Sequence, residues 1–168
     1  MQQQLVLKKR MSSEIRHYLA YGSNMNESRM LERAAPFTTQ TPCVLTGWTL
    51  VFNKVAFSDG EGYANIVPAE GGKVHGVLYC GTEETLEVLD HYEGVAHGHY
   101  ERVEVEVWVQ QSGNPMAEKV VATAYVAHKD ATQTGLRPSR MYLDHLLKAQ
   151  GLPQEYFSWL ENHPTVSA

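Results

Sequence analysis

Two short segments, far apart in the chain, carry residues whose types and spacing suit chemistry: Tyr18-Leu19-Ala20-Tyr21-Gly22-Ser23-Asn24 and Leu89-Asp90-His91-Tyr92-Glu93-Gly94. The first reads as a strand that breaks into a Gly-Ser-Asn turn just before a helix. Such a turn presents successive backbone N–H groups able to hold a carboxylate or a developing oxyanion. The second places the Glu93 carboxylate at the end of a helix, where the macrodipole disfavours negative charge. A carboxylate destabilised in this way is a better base than a solvated one. An anion-holding turn and a poised base together suit acyl transfer on a small acidic substrate.

Positioning these groups requires a scaffold, and the pattern of the chain supplies its elements. Residues 17–21 read as a buried strand. Asn24 or Asn26 caps a helix that runs to about Ala35, with Met30 and Leu31 turned inward and Pro36 ending it. Val44–Leu45 and Trp48–Phe52 read as strands parted by Gly47. Tyr63–Val67 reads as another, stopped by Pro68, and Lys73–Cys80 as the next, opened by Gly71-Gly72. Thr82 caps a helix with Glu83 and Glu84 in its first turn, Leu86 and Leu89 inside, and Gly94 as the residue that stops it near Glu93. From Tyr100 to Val109 apolar and polar residues alternate strictly, and Val120–Val126 pairs back as a hairpin across Ser112-Gly-Asn-Pro115. Ser139 caps a helix striped with Tyr142, Leu143, Leu146 and Leu147, and a last helix begins at Pro153. Six to seven short, mostly antiparallel strands with peripheral helices make an α+β domain, and closing the sheet would remove its exposed edges.

The bulk composition fits one domain. The chain has 168 residues, 43% of them hydrophobic and 20% charged, enough for a substantial core. Residues 1–15 read as a loose tail before a single domain at 16–168, with Met11 a possible alternative start. The net charge of −5 and the lack of a basic face argue against nucleic acid. Nothing resembles a signal peptide or a membrane span, so the chain reads as cytoplasmic, with small molecules as partners. Cys43 and Cys80 read as buried thiols. Ser23 lacks the Gly-x-Ser-x-Gly elbow of a nucleophile and has no assigned base, so hydrogen bonding is its expected role. His97-x-His99 has the spacing of two metal ligands on a strand but no third, and reads as a polar loop. Asp90 stays open between a place near the pocket and a loop cap. No metal, cofactor or covalent intermediate is called for, and the oligomeric state is not readable.

Several motifs in the same order resemble the γ-glutamylcyclotransferases, within the AIG2-like superfamily. They are Tyr21-Gly22-Ser23-Asn24, Gly62-Tyr63-Ala64-Asn65-Ile66, Leu89-Asp90-x-x-Glu93-Gly94-Val95 with Gly98-x-Tyr100, and Pro138-Ser139-x-x-Tyr142 followed by Gly151-Leu152-Pro153-x-x-Tyr156. The resemblance spans roughly Tyr18 to Leu160. It implies a small twisted β-barrel flanked by helices and a cofactor-independent reaction. In that reaction the α-amino group of a γ-glutamyl substrate attacks its own γ-carbonyl, closing 5-oxoproline and releasing an amine or amino acid. It implies that Glu93 is the general base, that Leu19, Ala20, Tyr21, Gly22, Ser23 and Asn24 form the turn holding the glutamyl group, and that Tyr142 contacts it. The branch that degrades glutathione carries Leu rather than Asn after Tyr-Gly-Ser, which points away from glutathione. Two alternatives remain at this stage: an amide hydrolase using the same base on water, and a small-molecule-binding module without turnover.

Overall fold

Two long strands build most of the sheet. The computed structural model describes residues 2–5, 13–110 and 117–167. Among them β1 (Arg16–Ala20) is followed by a 3-10 turn at Ser23–Met25 and α1 (Glu27–Glu32). The long pair follows, β2 (Thr39–Val55) and β3 (Gly62–Gly81), then α2 (Glu83–Tyr92), β4 (Tyr100–Gln110) and β5 (Ala117–Ala127). Helices α3 (Arg140–Leu147) and α4 (Gln154–Glu161) complete the fold. The strands close into a barrel in the order β1-β3-β2-β4-β5. Every neighbouring pair is antiparallel except the closing one, where β5 meets β1 in parallel at Tyr18 and Thr123. No helix among the described residues is long and apolar enough to cross a membrane.

The α+β barrel matches the expected architecture, but its strands number five rather than six to seven. Gly47, at φ +82°, does not end a strand; it sits at a register shift inside β2, between Thr46 and Trp48. Pro68 pairs with Trp48 inside β3. Breakers that end a strand in a flat sheet serve here as bends, because a five-stranded barrel requires strands that coil strongly.

Other expectations hold or shift for local reasons. On β4, Val105, Val107 and Val109 are buried, as their alternation requires. On α1, Met30 is fully buried while Leu31 is 64% exposed, against its expected inward position. Successive helical residues lie about 100° apart, and this six-residue helix packs through one row. Cys43 is buried and Cys80 half-buried, both as free thiols, and burial pushes the Cys43 thiol up to about 12. The Ser112–Pro115 turn, and most of the tail expected over residues 1–15, lie outside the described residues.

Candidate active site

β1 delivers the chain to the site. Leu19 and Ala20 are fully buried and pair with Leu78 and Val77 of β3, anchoring the strand behind the turn. The chain then leaves the sheet and tightens, with Met25 N–H donating to Gly22 O at 3.0 Å and Asn26 N–H to Ser23 O at 3.1 Å. Asn26 Oδ1 accepts from Ser28 N–H and starts α1. Tyr79 OH donates to Asn24 O at 2.7 Å, and Tyr21 OH donates to Tyr125 O, so two buried tyrosines fix the turn on the barrel.

Gly22 permits a close approach. A Cβ there would stand 3.0 Å from Tyr142 Oη and 3.2 Å from Ala64 Cβ. Tyr142 comes from the first turn of α3, where its N–H donates to the Ser139 cap at 3.1 Å. Its hydroxyl accepts from Ala64 N–H at 3.0 Å. Burial raises the Tyr142 pKa; hydrogen bonds from the Ala64 and Ser23 backbones oppose that rise without reversing it. Tyr142 therefore stays a neutral phenol.

Glu93 reaches the turn from the opposite side. It is the C-cap of α2, its N–H donating to Leu89 O at 2.8 Å. Gly94 takes φ +63° and stops the helix, and any Cβ there would meet His99 Cδ2 at 2.5 Å. Asn24 Nδ2 donates toward Glu93 Oε1 at 3.4 Å, and Arg33 Nη1 lies 3.7 Å from the same oxygen. Asn24 is itself held, donating to Tyr18 OH at 3.0 Å and accepting from Arg33 Nη1 at 3.0 Å. The Glu93 side chain is only 17% exposed. Burial raises its pKa above the ordinary carboxylate value, and Arg33, Lys54 and Arg29 offset part of that rise. Such a carboxylate takes up a proton more readily than a solvated one.

Six of the residues singled out from sequence, Tyr21, Gly22, Ser23, Asn24, Glu93 and Tyr142, line one cavity of about 870 Å³. Leu19 and Ala20 do not line it. Asp90 does not line it either: Arg102 grips its carboxylate through two bonds of 2.7 and 2.6 Å, and Tyr125 OH lies 2.7 Å from it. Asp90 thus braces β4 and β5 against α2. His97 and His99 lie on the cavity wall, and no group of three or more His, Cys, Asp or Glu among the described residues could hold a metal ion.

Lys54 falls in the loop from Asn53 to Glu61 that the sequence suggests as a wall beside the leaving group, but neither it nor Arg33 nor Tyr100 stood out singly as a site residue, and all three line the cavity. A signal existed for the first two. Lys54 lies two residues beyond the buried Phe52 on a strand, and Arg33 three beyond the buried Met30 at a helix end, so each shares the inward face. Tyr100 opens β4, and its OH donates to Ala64 O at 2.8 Å.

The sequence profile of the AIG2-like family matches residues 73–160. The chain belongs to the AIG2-like family. The matched stretch of this AIG2-like protein includes Glu93 and Tyr142, while the Tyr21–Asn24 turn precedes it. The chain is 29% identical over 146 residues to the γ-glutamylcyclotransferase of Bos taurus, spanning 83% of this chain and 73% of that one. Its fold superposes on a solved γ-glutamyl cyclotransferase with a TM-score of 0.78 at 27% identity, covering 92% of this chain and 91% of the other. A yeast γ-glutamyl cyclotransferase specific to glutathione shares the fold at a TM-score of 0.63 and 14% identity, with coverage of 88% and 94%.

Proposed function

We propose that this AIG2-like protein is a γ-glutamyl cyclotransferase that converts a γ-glutamyl amino acid or amine into 5-oxoproline and the free amino acid or amine. One observation carries the reading. The buried Glu93 carboxylate faces the same cavity as the Tyr21–Asn24 turn and is tied to that turn through Asn24. The likeness to the bovine γ-glutamylcyclotransferase supports it.

An α-ammonium group is not a nucleophile, so Glu93 first takes one of its protons. The freed amine attacks the γ-carbonyl carbon of the same molecule, forming the C–N bond that closes the ring. Charge moves onto the carbonyl oxygen, and in this reading the turn's backbone N–H groups and the neutral Tyr142 hydroxyl stabilise it. The tetrahedral intermediate collapses and the original amide C–N bond breaks as Glu93 passes its proton to the departing nitrogen. The freed carboxylate then takes the second proton from the ring nitrogen and gives it to the released amine, which leaves as an ammonium. No water is consumed. Because the attack is intramolecular, the cavity has mainly to hold a folded conformer of the substrate.

The test is mass spectrometry of products from a panel of γ-glutamyl amino acids and amines, with wild type and Glu93→Gln. 5-Oxoproline from wild type and none from the variant is the expected result. Free glutamate would overturn the cyclisation in favour of hydrolysis. Binding without any product would leave only a binding module.

A further inference from the structure

Lys54 is a cation of the cavity wall without an ion-pair partner among the described residues, although the carboxylates Glu61, Asp130 and Glu93 line the same cavity. It stands near the end of β2, opposite Tyr63 of β3, and its backbone also bridges to Thr132. Although it lines the cavity, the residue is only 5% exposed. Its ammonium donates to Val55 O at 2.7 Å. It also lies over the rings of Tyr100 and Tyr63, at 5.6 and 6.0 Å from their centroids. No carboxylate lies within ion-pair distance of it among the described residues. Of the other two cations on the wall, Arg33 faces Glu93 at 3.7 Å, and Arg29 faces Glu32 at 3.8 Å while its buried Nε has no hydrogen-bond partner among the described residues.

Burying an ammonium without a counterion is unfavourable unless a partner arrives. Ring faces and one carbonyl satisfy it in part. Burial lowers the Lys54 pKa, with Glu93 opposing the shift from too far away to form a pair. A carboxylate entering the cavity would meet two unused N–H donors on a desolvated cation. A neutral ligand would leave that charge unbalanced.

We propose that Lys54 is the carboxylate-binding residue of this cavity, its ammonium pairing with a carboxylate of the bound γ-glutamyl substrate. The inference rests on the cyclotransfer reading above and adds a recognition element to it. Two carboxylates could fill the role: the α-carboxylate of the glutamyl unit, which remains in 5-oxoproline, and the carboxylate of a departing amino acid, which an amine lacks.

The experiment uses the full chain as wild type, Lys54→Met and Lys54→Arg, with Lys54→Gln where the methionine variant does not fold. The substrates are γ-glutamylalanine and γ-glutamylethylamine, which differ only in the leaving group's carboxylate. 5-Oxoproline and glutarate serve as calorimetric ligands. Removing a charge-assisted hydrogen bond predicts a loss of about tenfold or more. If Lys54 holds the glutamyl carboxylate, the methionine variant loses kcat/KM on both substrates alike, and 5-oxoproline binds correspondingly more weakly. If it holds the leaving group's carboxylate, γ-glutamylalanine alone suffers and 5-oxoproline binding is unchanged. In either case Lys54→Arg, which keeps the positive charge, recovers more of the loss than the uncharged variants do. Wild-type turnover with unchanged kinetics and ligand binding in Lys54→Met overturns the inference while leaving cyclotransfer intact. Absence of 5-oxoproline from wild type instead overturns cyclotransfer. Glutarate binding then decides for Lys54 alone: weaker binding in Lys54→Met supports a carboxylate site, and equal binding removes it.

Discussion

Replacing Arg33 with methionine tests whether Glu93 works as a base whose strength is set by its neighbours. Arg33 Nη1 lies 3.7 Å from Glu93 Oε1, and the two side chains are 15% and 17% exposed. At that distance two unit charges attract by about 1 kcal/mol in bulk water and by about 4 kcal/mol at an effective dielectric constant of about 20. A tenfold change in a protonation equilibrium corresponds to about 1.36 kcal/mol. Even the weak limit therefore moves the titration of Glu93 by close to one pH unit. The direction is fixed: burial holds the Glu93 pKa above its ordinary value, Arg33 offsets part of that rise, and removing Arg33 raises it further. The deprotonated carboxylate is the active base, so kcat/KM climbs with pH through this pKa. The acid limb of Arg33→Met should lie about one pH unit or more above that of wild type, measured as 5-oxoproline formation between about pH 5 and about pH 9. Arg33 also donates to Asn24 Oδ1 at 3.0 Å, so the substitution loosens the turn as well. Loosening lowers kcat/KM at every pH, whereas the charge effect shifts the limb, and Arg33→Lys should keep the limb near its wild-type position. Superimposable acid limbs for wild type and Arg33→Met would refute the assignment of Glu93 as the titrating base.

Glu93→Gln should lower kcat by about 10² to 10⁴-fold, the range for losing a general base. It should also raise the melting temperature at neutral pH and leave it little changed under acid conditions. With the folded pKa raised, the native state holds more protons than the unfolded one between the two pKa values, so stability falls as pH rises through that window; a melting temperature lowered at neutral pH would contradict this. Gly22→Ala places a Cβ 3.0 Å from Tyr142 Oη, so Tyr142 must retreat by a few tenths of an ångström. About a tenfold loss of kcat/KM is expected, short of the roughly 10²-fold attached to a 1 Å misplacement, and wild-type kinetics would rule out the close approach as a requirement. Asp90→Ala strips the paired acceptor from Arg102 and from Tyr125. Arg102 is partly exposed and keeps Glu83, and the buried Tyr125 hydroxyl keeps Leu86 O as an acceptor, so a loss of about 1–2 kcal/mol is expected, seen as a melting temperature lower by roughly 4 °C. Its kcat/KM should stay within about threefold of wild type, and a loss as large as that of Glu93→Gln would give Asp90 a chemical role.

What the sequence disclosed follows from the range over which each signal acts. The end of α2 was legible to the residue, because Thr82 and Gly94 exert their effects within one turn. The alternation of β4 predicted its buried face for the same reason. Strand continuity was not legible: Gly47 and Pro68 are read as stops by any local rule, and only the curvature of a closed barrel makes them bends. Closure itself depends on one parallel pair, Tyr18 with Thr123, and no local pattern in either strand encodes it.

The candidate site divides along the same line. Asn24 and Glu93 stand 69 residues apart in sequence, and periodicity alone gave no reason to join them; the ordered motifs of a family did. Lys54 and Arg33 were not singled out because patterning looks for apolar residues on the inward face and treats a charge there as an interruption. Physics argues the opposite. A cation on the buried face of a strand or helix is unfavourable unless something offsets it, and here Arg33 is offset by Glu93 while Lys54 lacks a carboxylate among the described residues. The residues that violate the pattern are therefore the ones to examine first, since a scaffold that tolerates an unbalanced buried charge is shaped for a ligand that balances it.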